Sequence, residues 1–414
     1  MECLDTAASM IAKVDPTSGG SRRLRLLCLA LQTPLPADTG DSIRVGGLLR
    51  SMAALHDIDF VCVRRPETLD DDVARLDGWI SGRLHVFPPR VARAGKVAAS
   101  TRWARALVQG DPPWLRIHWH PDVAEHLTHA RGIYDAVIFL DNAVTIYWPL
   151  VKLRAPFVVD IHNVAGWSIG VATENSRRTP RTLVRAALGS WLMRRSERRS
   201  VGAMDGVVVT SDEEKRRLSA LYGIAADAVI PSGIDLPQRG LRASGSGIVA
   251  WIGGHGYPPN RDGLVRFVEE AWEPLGQAGY RLLVAGSDPP PEIVGLAKAN
   301  GIEILGFVED LDLFLSQADV AVVPLWAGAG VKLKTVTFLG AGIPVVSTSI
   351  GIEGTGVKGR SACPCPGGGI GPRRGPADAS HGFCVGRADR CGRTVLGGGK
   401  AHLVAFGRRF RAGG

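Results

Sequence analysis

Nowhere in its 414 residues does the chain hold an apolar run approaching the roughly 20 residues that span a bilayer, so a helical membrane-spanning protein is not expected. Cysteine is sparse at seven, and none sits in a C-x-x-C pair, which removes the usual zinc-ribbon and redox readings. Cys28 and Cys62 lie inside apolar, strand-like runs and are expected to be reduced, buried thiols. Four of the others, Cys363, Cys365, Cys384 and Cys391, crowd the C-terminal end beside His381, without the spacing that would favour a metal site. Also missing is the G-x-G-x-x-G turn of a dinucleotide-binding domain, so a nicotinamide or flavin oxidoreductase is disfavoured. Residues 1–23 mix Asp5, Lys13 and Asp15 with small residues and lack the apolar core of a cleavable signal. They read as a flexible leader, with Met10 an alternative start, and a cytoplasmic protein is expected.

The net charge of +9 invites a nucleic-acid reading that its distribution opposes. Residues 358–414 hold eleven Lys and Arg against Asp378 and Asp389 alone, which accounts for the whole excess. The first 357 residues are balanced, and no nucleic-acid partner is expected. The same 358–414 stretch has fifteen glycines, no glutamate and no helix or strand periodicity, and is expected to be disordered. Two origins stay open: a native extension, or a reading-frame slip near codon 358.

From Leu24 onward, short apolar runs alternate with stretches of helical spacing, the pattern of parallel α/β sheets. Strands are expected at LRLLCLAL (24–31), IDFVCV (58–63), AVIFL (136–140), PFVVDI (156–161), GVVVT (206–210) and AVIP (228–231). A second set begins at GIVAWIG (247–253), followed by YRLLVAG (280–286), IEILG (302–306), VAVVPL (320–325) and PVVST (344–348). The polar stretch 236–247 reads as a linker between domains at 24–235 and 248–357. Two doubly wound domains facing a cleft are expected, with ligands beyond the carboxyl ends of the strands. The segment 177–199 carries eight arginines among Leu183, Val184, Leu188, Trp191, Leu192 and Met193. It either lies on an anionic membrane surface at the inner face of the membrane or packs one apolar stripe on its own domain.

Four strand-end loops carry candidate chemistry. Gly40 and Asp41 open a helix after the first strand, where backbone N–H groups can meet a phosphate. Gly253, Gly254 and His255 end a strand, with Asn260 shortly beyond. Ala327 to Lys334 places Gly330, Lys332 and Lys334 at a helix start, where the helix dipole disfavours lysine unless an anion is present. His162 ends PFVVDI and is placed to face the cleft.

Together these segments resemble the retaining, family-4 type of GT-B glycosyltransferases (glycosyltransferase group 1) from about Leu24 to Gly356. WIGGHGYPPNRDGLVRFVEEAWEPL, LLVAGSDPP, LGFVEDLDLFLSQADVAVVPLWAGAGVKLK and GAGIPVVSTSIGIEG carry the likeness best. PLPADTGDSIR, VVDIHN, VVVTSDEEKRRL and IPSGID support it. The resemblance implies two Rossmann-like domains and transfer of a hexosyl group, with retention, from a nucleotide-diphosphate sugar to a glycan or lipid-linked acceptor. It implies no cofactor and no catalytic metal, and a place in polysaccharide assembly. It puts Gly40 and Asp41 at the donor phosphates, His162 beside the transferring sugar and Lys332 and Lys334 on the diphosphate. Phe307 and Val308 would frame the base, with Gly253, Gly254, Asn260 and Gly330 in the same donor site. The chain departs from the family at Thr337, where an acidic residue commonly meets the ribose, and in lacking the family's final helices after Gly356. These departures motivate an alternative, a non-catalytic nucleotide-sugar binder or degenerate product.

Overall fold

A computed structural model describes residues 22–89, 99–174, 180–235, 245–328, 330–357, 384–389, 393–397 and 404–406. The leader up to residue 21, linker residues 236–244 and the rest of the tail, including Cys363, Cys365 and His381, lie outside the described residues. The chain divides into two compact units, Met1–Gly233 and Ile234–Gly414.

The first unit carries a seven-stranded sheet: β1 (Arg25–Gln32), β2 (Asp57–Val63), β3 (Leu84–Phe87), β4 (Ala136–Phe139), β5 (Phe157–Ile161), β6 (Gly206–Val209) and β7 (Ala228–Val229). Every pairing is parallel and the spatial order is β3-β2-β1-β4-β5-β6-β7. Alternation along β1 builds both cores. Leu27 and Leu29 join Phe139, Val159 and Ile161 on one face, while Leu26, Cys28 and Ala30 meet Leu49, Ile58 and Phe60 on the other. Cys28 and Cys62 are free and buried in these cores, as their apolar setting predicts, and burial raises both thiol pKa values.

The second unit repeats the plan with β8 (Ile248–Ile252), β9 (Arg281–Ala285), β10 (Glu303–Gly306), β11 (Val320–Val323) and β12 (Val345–Ser347) in the order β10-β9-β8-β11-β12. Val249 and Trp251 face a core with Phe267 and Trp272, and Ile248 and Ala250 face one with Phe314 and Phe338. Within the tail, β13 (Cys384–Asp389) and β14 (Arg393–Gly397) form an antiparallel pair, and β15 (Val404–Phe406) lies antiparallel to β12. The composition of that stretch gives no sign of them.

Each sheet reverses its strand order once, between β1 and β4 and between β8 and β11. At such switch points, connections leave in opposite directions and open a crevice beyond the strand ends. The residues of interest gather at these two places.

Candidate functional sites at the two switch points

In the first unit, the loop after β1 leads into the helix Gly40–Leu55. Thr39 caps that helix: its Oγ1 accepts from the Ser42 N–H, while its own N–H donates to Ser42 Oγ. Asp41 thereby stands in the first turn, where the dipole favours a carboxylate. Asp141 follows β4, and His162 follows β5 with 6% of its surface exposed. The three meet. His162 Nδ1 lies 2.9 Å from Asp41 Oδ1 and 3.6 Å from Asp141 Oδ2. On the other side of the ring, Nε2 is 3.2 Å from Asp160 Oδ2, too far out of line for a hydrogen bond. Arg44 Nε donates to the same carboxylate at 2.8 Å, and its Nη1 reaches the Ile230 carbonyl at 2.9 Å and Ser232 Oγ at 3.2 Å.

Burial opposes a charge on His162, but the carboxylates of Asp160 and Asp41 at its two ring nitrogens, with Asp141 nearby, push its pKa up to about 10. The ring is a cation at neutral pH and acts as a donor, not as a base. Burial raises Asp141 to about 6, and Asp41 adds to the rise while His162 opposes it. The hydrogen bond from His162 lowers the pKa of Asp41, whose side chain is otherwise largely exposed. Asp41, Asp141 and His162 offer ligand atoms within 4.8 Å of one another, close enough to share a cation. A cation there would have to displace the proton that keeps His162 positive.

The loop after His162 is held by two glutamates that the sequence reading passed over. Glu197 accepts from the N–H groups of Ala165 at 2.9 Å and Gly166 at 2.8 Å, from Asn142 Nδ2 at 2.7 Å and from the Tyr222 hydroxyl at 2.6 Å. Glu214 Oε2 accepts from the Val164 N–H at 2.7 Å. These carboxylates satisfy the free amides at the start of the helix Ala165–Glu174, so that helix end is already occupied by the protein's own anions. A lone acid inside Arg194-Arg195-Ser196-Glu197-Arg198-Arg199 was the available signal.

Glu197 belongs to the Arg-rich helix Pro180–Val201. Gly189, Leu192, Met193, Ser196, Glu197, Ser200 and Val201 are buried at helical spacing, so one stripe packs on its own unit. Leu183, Val184 and Trp191 stay exposed among Arg185, Arg194, Arg195 and Arg198. The packing of one apolar stripe on its own domain is therefore observed, and the exposed apolar residues lie on another face. No helix among the described residues is long and apolar enough to cross a membrane.

In the second unit, β8 ends at Gly253 and Gly254, the helix Pro258–Phe267 supplies Asn260, and Lys332 precedes the helix Leu333–Gly340. Lys334 Nζ donates to Asn260 Oδ1 at 2.7 Å and lies 5.2 Å from the Trp251 ring centroid. Asn260 Nδ2 donates to the Gly254 carbonyl at 3.0 Å. Gly253 is glycine for a steric reason: a Cβ there would stand 2.7 Å from Lys334 Nζ and 2.9 Å from Asn260 Nδ2. Lys332 is buried and donates to the carbonyl of Gly330, whose φ of 74° lets the loop fold back under it. Burial and the neighbouring Lys332 charge push Lys334 down to about 7. Among the described residues no carboxylate pairs with Lys334. His255 stacks on Trp251 at 5.4 Å with neither ring nitrogen hydrogen-bonded, and burial lowers its pKa.

Of the residues singled out in the sequence, Asp41 and His162 come together in the first unit, with Gly40 opening the adjoining helix. Gly253, Gly254, Asn260, Gly330, Lys332 and Lys334 come together in the second. Phe307 and Val308 follow β10, two strands from β8, with Phe307 58% exposed. Thr337 lies half-buried in the helix Leu333–Gly340. Asp141, Asp160 and Arg44 were not singled out: Asp141 is 3.6 Å from His162, Asp160 precedes it by two positions, and Arg44 joins the cluster only through Asp160.

Two parallel-sheet units with charged clusters at both switch points define a GT-B glycosyltransferase fold. Residues 40–238 match the family model for Glycosyltransferase Family 4, and residues 246–367 match that for Glycosyl transferases group 1, past Gly356 where the resemblance was expected to end. The chain is a GT-B glycosyltransferase. Among solved structures it is similar to Anabaena Alr3699/HepE in complex with UDP-glucose, with 12% identity, 80% of this chain and 81% of that one covered, and a TM-score of 0.51. It is also similar to a mutant of S. aureus TarM in complex with Fondaparinux, alpha-GlcNAc-glycerol and UDP, with 9% identity, coverage of 79% and 86%, and a TM-score of 0.50. At these identities the likeness concerns the fold. No curated protein sequence matches the chain at a significant level.

Proposed function

We propose that the protein transfers a hexosyl group, with retention of anomeric configuration, from a nucleotide-diphosphate sugar to a glycan or lipid-linked acceptor in polysaccharide assembly. The observation that carries this reading is Lys334. A partly buried ammonium whose proton affinity is lowered, with Asn260 Oδ1 as its hydrogen-bond acceptor and no carboxylate paired with it among the described residues, is relieved when an anion completes the site. Lys332 beside it, 3.9 Å from the Glu353 carboxylate, and the positive end of the helix Leu333–Gly340 add to an environment that favours an anion such as a diphosphate. As the anomeric bond breaks, its electron pair leaves on the diphosphate, and these cations stabilise that charge. His162, held cationic, donates to the transferring sugar. The reaction asks for no cofactor and no metal, since the lysines supply the positive charge. UDP-glucose in the Anabaena protein and UDP in TarM make uridine the first base to test. The exposed Leu183, Val184 and Trp191 among arginines support attachment to the anionic inner face of a membrane.

Thr337 in place of a carboxylate favours the second reading, a nucleotide-sugar binder without turnover. Incubation with UDP-, GDP- and ADP-sugars and a cell-extract acceptor separates the two. Acceptor-dependent release of nucleoside diphosphate, with the anomer of the product read by NMR, supports the transferase. Donor binding with no release in any extract sinks it.

A further inference from the structure

We propose that a cavity wholly within the first unit is the acceptor subsite and takes a neutral, hydroxyl-rich ring, a pyranose of the acceptor. The inference rests on the sugar-transfer reading and names the substrate class of that reaction's second partner. The cavity measures about 360 Å³ and lies between the helix Pro180–Val201, the segment Ala143–Leu150 and the residues from Asp111 to Trp119. That volume falls within the range of small-molecule sites.

Its lining is chemically mixed. Trp148, Leu115 and Met193 contribute apolar surface to it, and Asp111, Arg116 and Arg199 polar groups. The indole of Trp148 is half-buried and has no ring partner among the described residues. Asp111 is buried and holds both arginines: its Oδ2 accepts from Arg116 at 3.0 Å, and its Oδ1 from Arg199 at 2.9 Å and Ser196 Oγ at 2.8 Å. Arg116 Nε is left buried with no acceptor, a cost that nearby hydroxyl oxygen would relieve.

Charge decides the class of ligand. Two guanidinium groups face two carboxylates, Asp111 and Glu197, so the formal balance is zero and the site favours neither anion nor cation. Both carboxylates already accept from the protein's own groups, so the lining offers the guanidinium N–H groups not spent on Asp111, Arg116 Nε among them. Hydroxyl groups both donate and accept, and so answer such a surface without net charge. An aromatic face beside them suits the C–H face of a pyranose. The cavity also adjoins the charged cluster by one residue: Asn142 lines it and directly follows Asp141, whose Oδ2 is 3.6 Å from His162 Nδ1. Nothing in the lysine-bearing unit is needed to form it.

The test is saturation-transfer difference NMR on the full chain with the methyl glycosides of glucose, galactose, mannose and N-acetylglucosamine at millimolar concentration. At least one is expected to receive saturation, and Trp148→Ala and the cavity-filling Met193→Trp are each expected to weaken it about tenfold or more. Arg116→Met, a change at a partly exposed position, provides a third variant that keeps the fold. Tighter binding of the octyl than of the methyl glycoside assigns the ring to a lipid-linked acceptor, and equal binding to a free glycan; both support the subsite. Silence from every glycoside, or a signal that survives all three substitutions, overturns it. Donor-induced thermal stabilisation, recorded on the same samples, keeps the two readings apart. A donor shift with no glycoside signal removes the subsite alone. A glycoside signal with no donor shift leaves a pyranose-binding cavity but overturns both the transferase reading and the assignment of that cavity to an acceptor.

Discussion

On the proposed reading, Lys334 should make the affinity for a nucleotide sugar depend on pH, with a sign that follows from its lowered pKa. Its ammonium is pushed down to about 7 from 10.5 by burial and by Lys332, so near pH 7 roughly half the free protein carries the proton. A diphosphate favours the charged form and raises the pKa in the complex. Binding therefore takes up a proton above neutrality: about 0.5 per site at pH 7 and about 0.9 at pH 8, with affinity falling roughly fivefold between them and nearly tenfold per unit beyond. The sugar ester is the right probe, because a terminal phosphate titrates near pH 6 and would add its own protons. Isothermal titration in buffers of different ionisation enthalpy reads the uptake directly. Lys334→Met should abolish the uptake and weaken binding by about 1–3 kcal/mol. Without donor the sign inverts. The unfolded chain holds a proton that the native site gives up, so this group's contribution to stability rises as pH goes from about 7 to 10.5. An affinity flat between pH 6.5 and 8.5 with no proton uptake would refute the reasoning about Lys334.

Four further outcomes are expected. His162→Ala should cost roughly 100- to 1000-fold in turnover while donor affinity stays within a few-fold, because the lysines are in the other unit; a matched loss of donor affinity would contradict that division. Arg44→Met leaves the buried Asp160 carboxylate without its guanidinium and should destabilise the first unit by about 3–5 kcal/mol in chemical denaturation, where a cost no larger than a surface substitution would be contrary. Gly253→Ala drives a methyl to within 2.7 Å of Lys334 Nζ, so donor affinity should drop about tenfold with a nearly unchanged melting temperature. Chelation with EDTA should leave donor binding and turnover intact; loss restored by a divalent cation would instead assign Asp41, Asp141 and His162 to a metal.

Most of the architecture was readable because fully buried parallel strands leave continuous apolar runs. Eleven such runs were expected, and a strand overlaps each. Apart from the tail strands β13, β14 and β15, the strand that escaped is β3, a short edge strand of half-buried residues ending at Pro88-Pro89, which lacks both the apolar run and a clean alternation. At the sites, small residues and lysines after a strand identified the second cluster, since glycine and a misplaced charge are local signals. The first cluster was only half visible. Asp160 and Arg44 are 116 positions apart, and no local pattern announces that the aspartate inside an apolar strand is paired with an arginine from a distant helix. Glu197 was hidden for a similar reason, its arginine neighbours suggesting a solvated face while its own side chain turns inward to cap another helix.

The central claim is that the second unit is built to hold the diphosphate of a sugar donor on Lys332 and Lys334. A thermal-shift panel of UDP-, GDP- and ADP-sugars, run on the purified chain and on a Lys332→Ala, Lys334→Ala double variant, addresses it most directly. One donor class at about one hundred times its dissociation constant should add about 2.7 kcal/mol of stability to the unsubstituted chain and little to the variant. No shift with any donor, or an equal shift in both proteins, would contradict it.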